Sequence, residues 1–126
     1  MSNLRIDVWG RIFDLEIIYD CFHDEKITVE QEKTLDEFLK SSKEILECAY
    51  IMIEKYCTTN FKNIVGDRIE NIFKYVKPQS IYVKREKTSD RTIALLCKFK
   101  LDLEHGIAIV IKNEKVLEVG LQDIIL

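Results

Sequence analysis

Between Arg5 and Asp20 apolar and polar side chains alternate, with Phe13, Leu15, Ile17 and Tyr19 on one face and Asp14, Glu16 and Asp20 largely on the other. A period of two is what a half-buried strand requires. Ile6 and Val8 begin a shorter strand before Trp9-Gly10-Arg11. Gly10 lacks the Cβ that penalises positive φ, so residues 4–20 read as a hairpin. The period then changes. Thr28 and Gln31 have the spacing of a capping box, which starts a helix at Val29. From there Leu35, Phe38, Leu39, Ile45, Leu46, Ala49, Met52, Ile53 and Tyr56 follow at steps of three and four, one apolar stripe along a helical face. Ser41 and Glu44 offer a second box inside the stripe, which divides it into helices over residues 29–40 and 42–57. Asp67 with Glu70 predicts a third helix that buries Ile69, Ile72, Phe73 and Val76 and stops at Pro78.

The last third reads as strands. Ile81–Glu86, Thr92–Leu101, Gly106–Lys112 and Val116–Leu121 are rich in β-branched residues and are separated by short polar segments, the last of them Asn113-Glu114. Ile107, Ile109 and Ile111 share one face and Ala108 and Val110 the other, so this strand is expected in the sheet interior with helices on one side. The predicted fold class is α+β: one antiparallel sheet, made of the N-terminal hairpin and a C-terminal four-strand meander, packed against about three helices. At 126 residues the chain is expected to form a single domain, 1–126.

Composition narrows the class. The chain is 47% hydrophobic and 33% charged with a single Pro, which excludes disorder as the dominant state. No stretch reaches the roughly 18 uncharged apolar residues of a membrane span, and Arg5 and Asp7 interrupt the segment where a signal peptide would need its apolar core. A cytoplasmic location is therefore expected. Cys21, Cys48, Cys57 and Cys97 form no Cys-x-x-Cys pair and have apolar sequence neighbours, the pattern of reduced core thiols. The net charge of −3 divides unevenly along the chain: residues 1–60 carry 7 basic and 13 acidic side chains, residues 61–100 carry 10 and 4, and residues 101–126 carry 2 and 5. Such polarity can steer a charged partner.

Two clusters could carry chemistry. Asp102, Glu104, His105 and Asp123 are hard oxygen and nitrogen donors of the kind a divalent metal accepts, with Gly106 freeing the turn to converge them. Turn chemistry alone also accounts for each residue: Asp102 accepting backbone N–H groups, Glu104 solvated, His105 bonded locally, Gly106 turning the chain. His23 beside Asp20, Asp24 and Glu25 is the other cluster, an imidazole among acids that would raise its pKa. No serine lies in Gly-x-Ser-x-Gly, and the four glycines are isolated, so neither a nucleophile elbow nor a phosphate cradle is present. Lys84, Arg85, Lys87, Arg91, Lys98 and Lys100 interleave with Tyr82 and Phe99, but alternation does not put the basic and aromatic sets on a common face. Nucleic acid is not the expected partner.

Asp102-x-Glu104-His105-Gly106 followed by Val119-Gly120-x-Gln122-Asp123, together with Trp9-Gly10, Thr28-x-x-Gln31 and Tyr56, resembles a family of small uncharacterised bacterial proteins, a domain of unknown function. Some such proteins resemble immunity proteins of polymorphic toxin systems. The resemblance implies a non-enzymatic inhibitor that binds a cognate toxin. The leading expectation is accordingly a small cytosolic binding protein that uses no cofactor and docks a protein partner on its acidic N-terminal half, through Asp20, Asp24 and Glu25. The alternative is a metal-assisted hydrolase, or another small enzyme, built on Asp102, Glu104, His105 and Asp123, in which a bound ion would generate the nucleophile from water.

Overall fold

The computed structural model describes residues 3–22 and 24–126. His23 lies outside the described residues. In chain order the elements are β1 (Asn3–Val8), β2 (Arg11–Tyr19), α1 (Val29–Lys40), α2 (Ser42–Asn60), the short α3 (Lys62–Val65), β3 (Val76–Val83), β4 (Thr92–Phe99), β5 (Ile107–Lys112) and β6 (Lys115–Gly120). The strands form one sheet in sequence order, β1-β2-β3-β4-β5-β6. The hairpin and the meander are both present and antiparallel, but they join through β2 and β3, which run parallel. The sheet is therefore mixed, where a wholly antiparallel one was expected. A parallel junction needs a long crossover, and all three helices lie within it.

Local chemistry explains most boundaries. Trp9 and Gly10 both have positive φ, 55° and 91°, as the two-residue turns that suit twisted hairpins require. Trp9 holds this unusual conformation because its indole is anchored: Nε1–H donates to the Leu46 carbonyl at 2.8 Å, and the ring packs against Tyr50 and Phe73. The turn at Asn113-Glu114 repeats the pattern, with φ of 50° and 65°. There Asn113 Oδ1 accepts the Arg91 N–H, and Glu114 takes two hydrogen bonds from the Arg91 guanidinium at 2.7 and 2.8 Å. The capping box of α1 is formed as predicted.

Three expectations are corrected. Ser41 does not cap α2: its backbone, at φ −113° and ψ 15°, lacks the extended shape that aims a hydroxyl at the first turn. The helix expected after Asp67 is absent. Gly66, at φ 80°, closes α3, Asp67 pairs with Lys62 at 3.2 Å, and Asn71 caps only a single 3₁₀ turn over Ile72–Lys74. Val76 then begins β3, five residues before the expected Ile81, and Pro78 lies inside that strand. It is tolerated because β2 pairs with β3 only from Ser80 onward, leaving the strand one neighbour at Pro78, and because the register with β4 shifts between Pro78 and Ser80.

The helices cover one face of the sheet. Val83, Leu95, Phe99, Ile107, Ile109 and Ile111 meet Phe38, Ile45, Ala49 and Ile53 in a single buried cluster. Phe13, Ile17 and Phe73 pack around it half-buried, and Met52 is half-buried too, although all four were expected in the core. Cys57 and Cys97 are buried, and burial pushes the Cys57 thiol up to about 11. Cys21 is half-buried and Cys48 exposed, so the expectation of four core thiols fails: position 48 falls off the apolar stripe of α2. On the opposite face Ala94, Leu96 and Ala108 are covered by Tyr82 and by Ile125 of the returning C-terminal segment. No helix among the described residues is long and apolar enough to cross a membrane.

Ile109 is fully buried, whereas Glu114 contributes a partly exposed ion pair. Ile109→Ala should cost about 2–5 kcal/mol through lost transfer energy and a residual cavity, and Glu114→Ala about 1 kcal/mol or less. Urea unfolding of the two variants checks the difference; equal losses would reject the register of β5.

Candidate functional site

The segment from Asp20 to Thr28 connects β2 to α1 and carries the first candidate cluster. Its geometry is set by Gln31, which is only 1% exposed. Gln31 Oε1 accepts the Thr28 N–H at 3.0 Å, completing the capping box, while Nε2 donates to the carbonyls of Asp20 and Val83, each at 3.2 Å. One side chain thus joins the end of β2, the end of β3 and the start of α1. Arg85, just beyond β3, clasps the same segment from outside. Its guanidinium donates to the Lys26 carbonyl at 3.1 Å and lies 3.5 Å from Glu25 Oε2, and its backbone N–H donates to Asp20 Oδ2.

Two of the three acids expected to bind a partner are therefore engaged within the protein. Asp20 and Glu25 both meet Arg85, and Glu25 Oε1 also accepts the Phe22 N–H at 2.8 Å. Asp24 is exposed. Burial, followed by the charge of Asp20, pushes the Tyr82 phenol up to about 12. The cluster is a clasp around the crossover entrance. Sequence reasoning missed Arg85 and the second role of Gln31. The signal available was the choice of Gln over Glu in the box, since only an amide can accept from Thr28 and donate to two carbonyls at once.

The second cluster sits in the β4–β5 connection. Asp102 and His105 meet: Nδ1 lies 3.0 Å from both Asp102 carboxylate oxygens, and Oδ1 also accepts the His105 backbone N–H. The hydrogen bond and then the charge of Asp102 raise the His105 pKa above the usual imidazole range, and His105 in turn holds Asp102 below the usual carboxylate range. Glu104 and Asp123 are exposed. Among the described residues no group of three or more His, Cys, Asp or Glu side chains is placed to hold a metal ion. Gly106 turns the chain at φ 64°, a conformation that favours glycine, and a Cβ there would meet Gln122 Nε2 at 2.5 Å and so displace that amide. Gln122 donates to the Cys97 carbonyl and fastens the C-terminal segment against this turn.

A third region lies on the outer face of the helices. Glu30, Glu32, Asp36, Glu44 and Glu47 occupy exposed positions of α1 and α2. Glu32 and Asp36 stand one helical turn apart, where like charges repel, and neither has an ion-pair partner among the described residues. Both carboxylates, after burial, raise the pKa of Tyr19 at the end of β2.

A family described as Domain of unknown function (DUF6985) matches residues 2–126. No curated protein and no solved structure matches the chain.

Gln31→Leu keeps the side-chain bulk but leaves the Asp20 carbonyl and the Thr28 N–H without this partner. It should cost about 1–3 kcal/mol for each group left unsatisfied, read by thermal and urea unfolding. The Asp102–His105 pair predicts a pH signature. A raised His pKa gives stability that is complete below the ordinary value of about 6.5 and is lost as pH rises through the folded value. A lowered Asp pKa gives stability present above about 3.9 and lost as pH falls through the folded value. The melting temperature of wild type relative to His105→Ala should therefore be highest between about pH 4 and 6.5 and decline toward pH 8. A difference that is flat over this range would show that the pair contributes nothing.

Proposed function

The chain belongs to this domain family of unknown function, and from that premise we propose that it is a non-enzymatic binding domain whose acidic helical layer receives a basic protein partner. The observation that carries the reading is the Glu32–Asp36 pair: two exposed carboxylates one helical turn apart on α1, neither within ion-pair distance of a cation among the described residues. Lys33 and Lys40 lie within one turn of Asp36 and temper the repulsion inside the helix, yet both carboxylates stay open to solvent, where a basic partner can reach them. Asp24, exposed in the segment that leads into α1, adds to the same acidic part of the chain. Asp20 and Glu25 support the surface from behind through Arg85 rather than by direct contact. A bacterial immunity protein that neutralises a cognate toxin is the finer form of this reading. An acidic surface of this kind can occupy the phosphate track of a nuclease or neutralise another basic effector.

Asp36→Lys separates binding from folding. It places Glu32 four residues before a Lys, but it also sets Lys33 and Lys40 within one turn of the new charge, so the opposing terms of about 0.2–0.5 kcal/mol should largely cancel and leave stability little changed. Capture of a basic partner from lysate of the source cells should nevertheless fall sharply, and wild-type capture should weaken between about 0.1 M and 1 M salt as screening shortens from about 10 Å to about 3 Å. Capture that is unchanged by the substitution, or insensitive to salt, would reject the acidic layer as the docking surface.

A further inference from the structure

The two edges of the sheet are finished differently. On β6 the register with β5 shifts between Val110 and Ile111, an irregularity that spoils the edge as a template, and α2 lies along that strand. β1 has neither device. It pairs with β2 in unbroken register from Asn3↔Glu16 to Val8↔Arg11, and it contains no Pro. Because Val8 and Arg11 flank a two-residue turn, they form a hydrogen-bonded pair, and the alternation of an antiparallel ladder makes Ile6↔Phe13 and Leu4↔Leu15 the next ones. Asn3, Arg5 and Asp7 consequently direct their N–H and C=O groups away from β2. No backbone hydrogen bond among the described residues outside the sheet engages those groups.

We propose that β1 is a dimer edge, on which a second copy of this chain adds its own β1 in antiparallel register about a two-fold axis at Ile6. Charge selects the occupant and the register. With the axis at Ile6, Arg5 lies opposite Asp7 of the second copy and Asp7 opposite its Arg5, and these are the residues whose backbone groups are free to exchange hydrogen bonds. Shifting the axis to Arg5 opposes Arg to Arg, and shifting it to Asp7 opposes Asp to Asp. Opposite charges directly across a ladder stabilise it and like charges destabilise it. Within one copy Arg5 already faces Asp14 on β2, so the joint extends an alternation of charge: Asp14, Arg5, then Asp7 of the second copy.

The other face of the strand agrees. Leu4 and Ile6 point toward the helical layer yet remain only partly buried. Beside them a groove of about 440 Å³ opens between β1 and the start of α2, lined by Ile6, Asp7, Trp9, Ser42, Lys43 and Leu46. In the proposed register Ile6 meets Ile6 of the second copy at a close, non-hydrogen-bonded position, and Leu4 meets Val8, so apolar side chains enter that groove from the neighbouring copy. A contact in which residue i meets j and j meets i is the isologous arrangement of a closed two-fold dimer.

The test is the mass of the full chain by light scattering from about 10 µM to about 1 mM, the range in which a small interface associates. The expected result is a rise from 14.9 kDa toward twice that mass. Asp7→Arg should remain monomeric over the same range, and Arg5→Asp combined with Asp7→Arg, which restores opposite charges across the joint, should regain the dimer. Far-ultraviolet circular dichroism confirms that each variant is folded. Hydrogen exchange on the wild type gives a readout that needs no variant: the Arg5 and Asp7 amides should become protected as concentration rises. A mass fixed at 14.9 kDa throughout, a dimer indifferent to Asp7→Arg, or protection that maps to Lys115–Gly120 instead would each overturn the proposal.

Discussion

A parallel pair of strands cannot be closed by a turn, so the chain must leave the end of one strand, travel through helices and return, and at its departure several backbone groups lose their ladder partners together. Here that departure is secured by one buried amide. Gln31 accepts from the cap of α1 and donates to the ends of both parallel strands, so the direction in which α1 leaves the sheet is fixed by the same hydrogen bonds that hold β2 beside β3. Much else follows from that placement. Phe38 is carried over β3 and β4, α2 is delivered toward β6, and the exposed acids of α1 are presented on the side of the helix away from the core. Arg85 reinforces the arrangement from the surface, where its contacts are partly solvated and individually worth little.

The parts of the fold legible in the sequence were those specified by neighbouring residues. Trp9-Gly10, Thr28-x-x-Gln31 and Asn113-Glu114 each set a boundary through chemistry confined to a few positions, and the isoleucines of β5 declared an interior strand by having no polar face. The failures came where tertiary context decided. Ile69, Ile72, Phe73 and Val76 have helical spacing, but Gly66 and Asn71 break the segment, and the apolar positions are used by a 3₁₀ turn and the start of a strand instead. Pro78 reads as a stop unless it is known that β3 has only one neighbour at that point. The parallel junction could not be seen at all, because a hairpin and a meander can meet in either sense without any change in their own patterns.

The candidate site shows the same division. Asp102 and His105 were legible as a pair because three residues and a glycine bring them together locally. Whether Asp123 joined them depended on the path of the C-terminal segment, which Gln122 determines through its bond to Cys97. Asp20 and Glu25 looked like free acids because Arg85, whose backbone N–H donates to Asp20 and whose guanidinium faces Glu25, lies about 60 residues further along the chain, a separation at which sequence proximity carries no information. Glu32 and Asp36 of α1, exposed and without an ion-pair partner among the described residues, lie at a helical spacing that the sequence carries alongside its apolar stripe.

The parallel junction also sets the order in which the chain can assemble. β1 and β2 are neighbours in sequence, and so are the four strands of the meander, so each ladder closes across a local connection, from the two-residue turns of β1–β2 and β5–β6 to the longer segments 84–91 and 100–106. Joining them is different in kind. The contact of Ile17 with Ile81 closes a loop of about 60 residues, and closure of that length costs about 4 kcal/mol in its length-dependent part alone. Until β2 and β3 meet, the apolar face of the hairpin and that of the meander are both open to water, and the helices between them have no complete surface to pack on. The domain is thus two quick local structures waiting on one distant encounter. The entropy of that encounter is met at the seam, where Gln31 ties the ends of β2 and β3 to the start of α1.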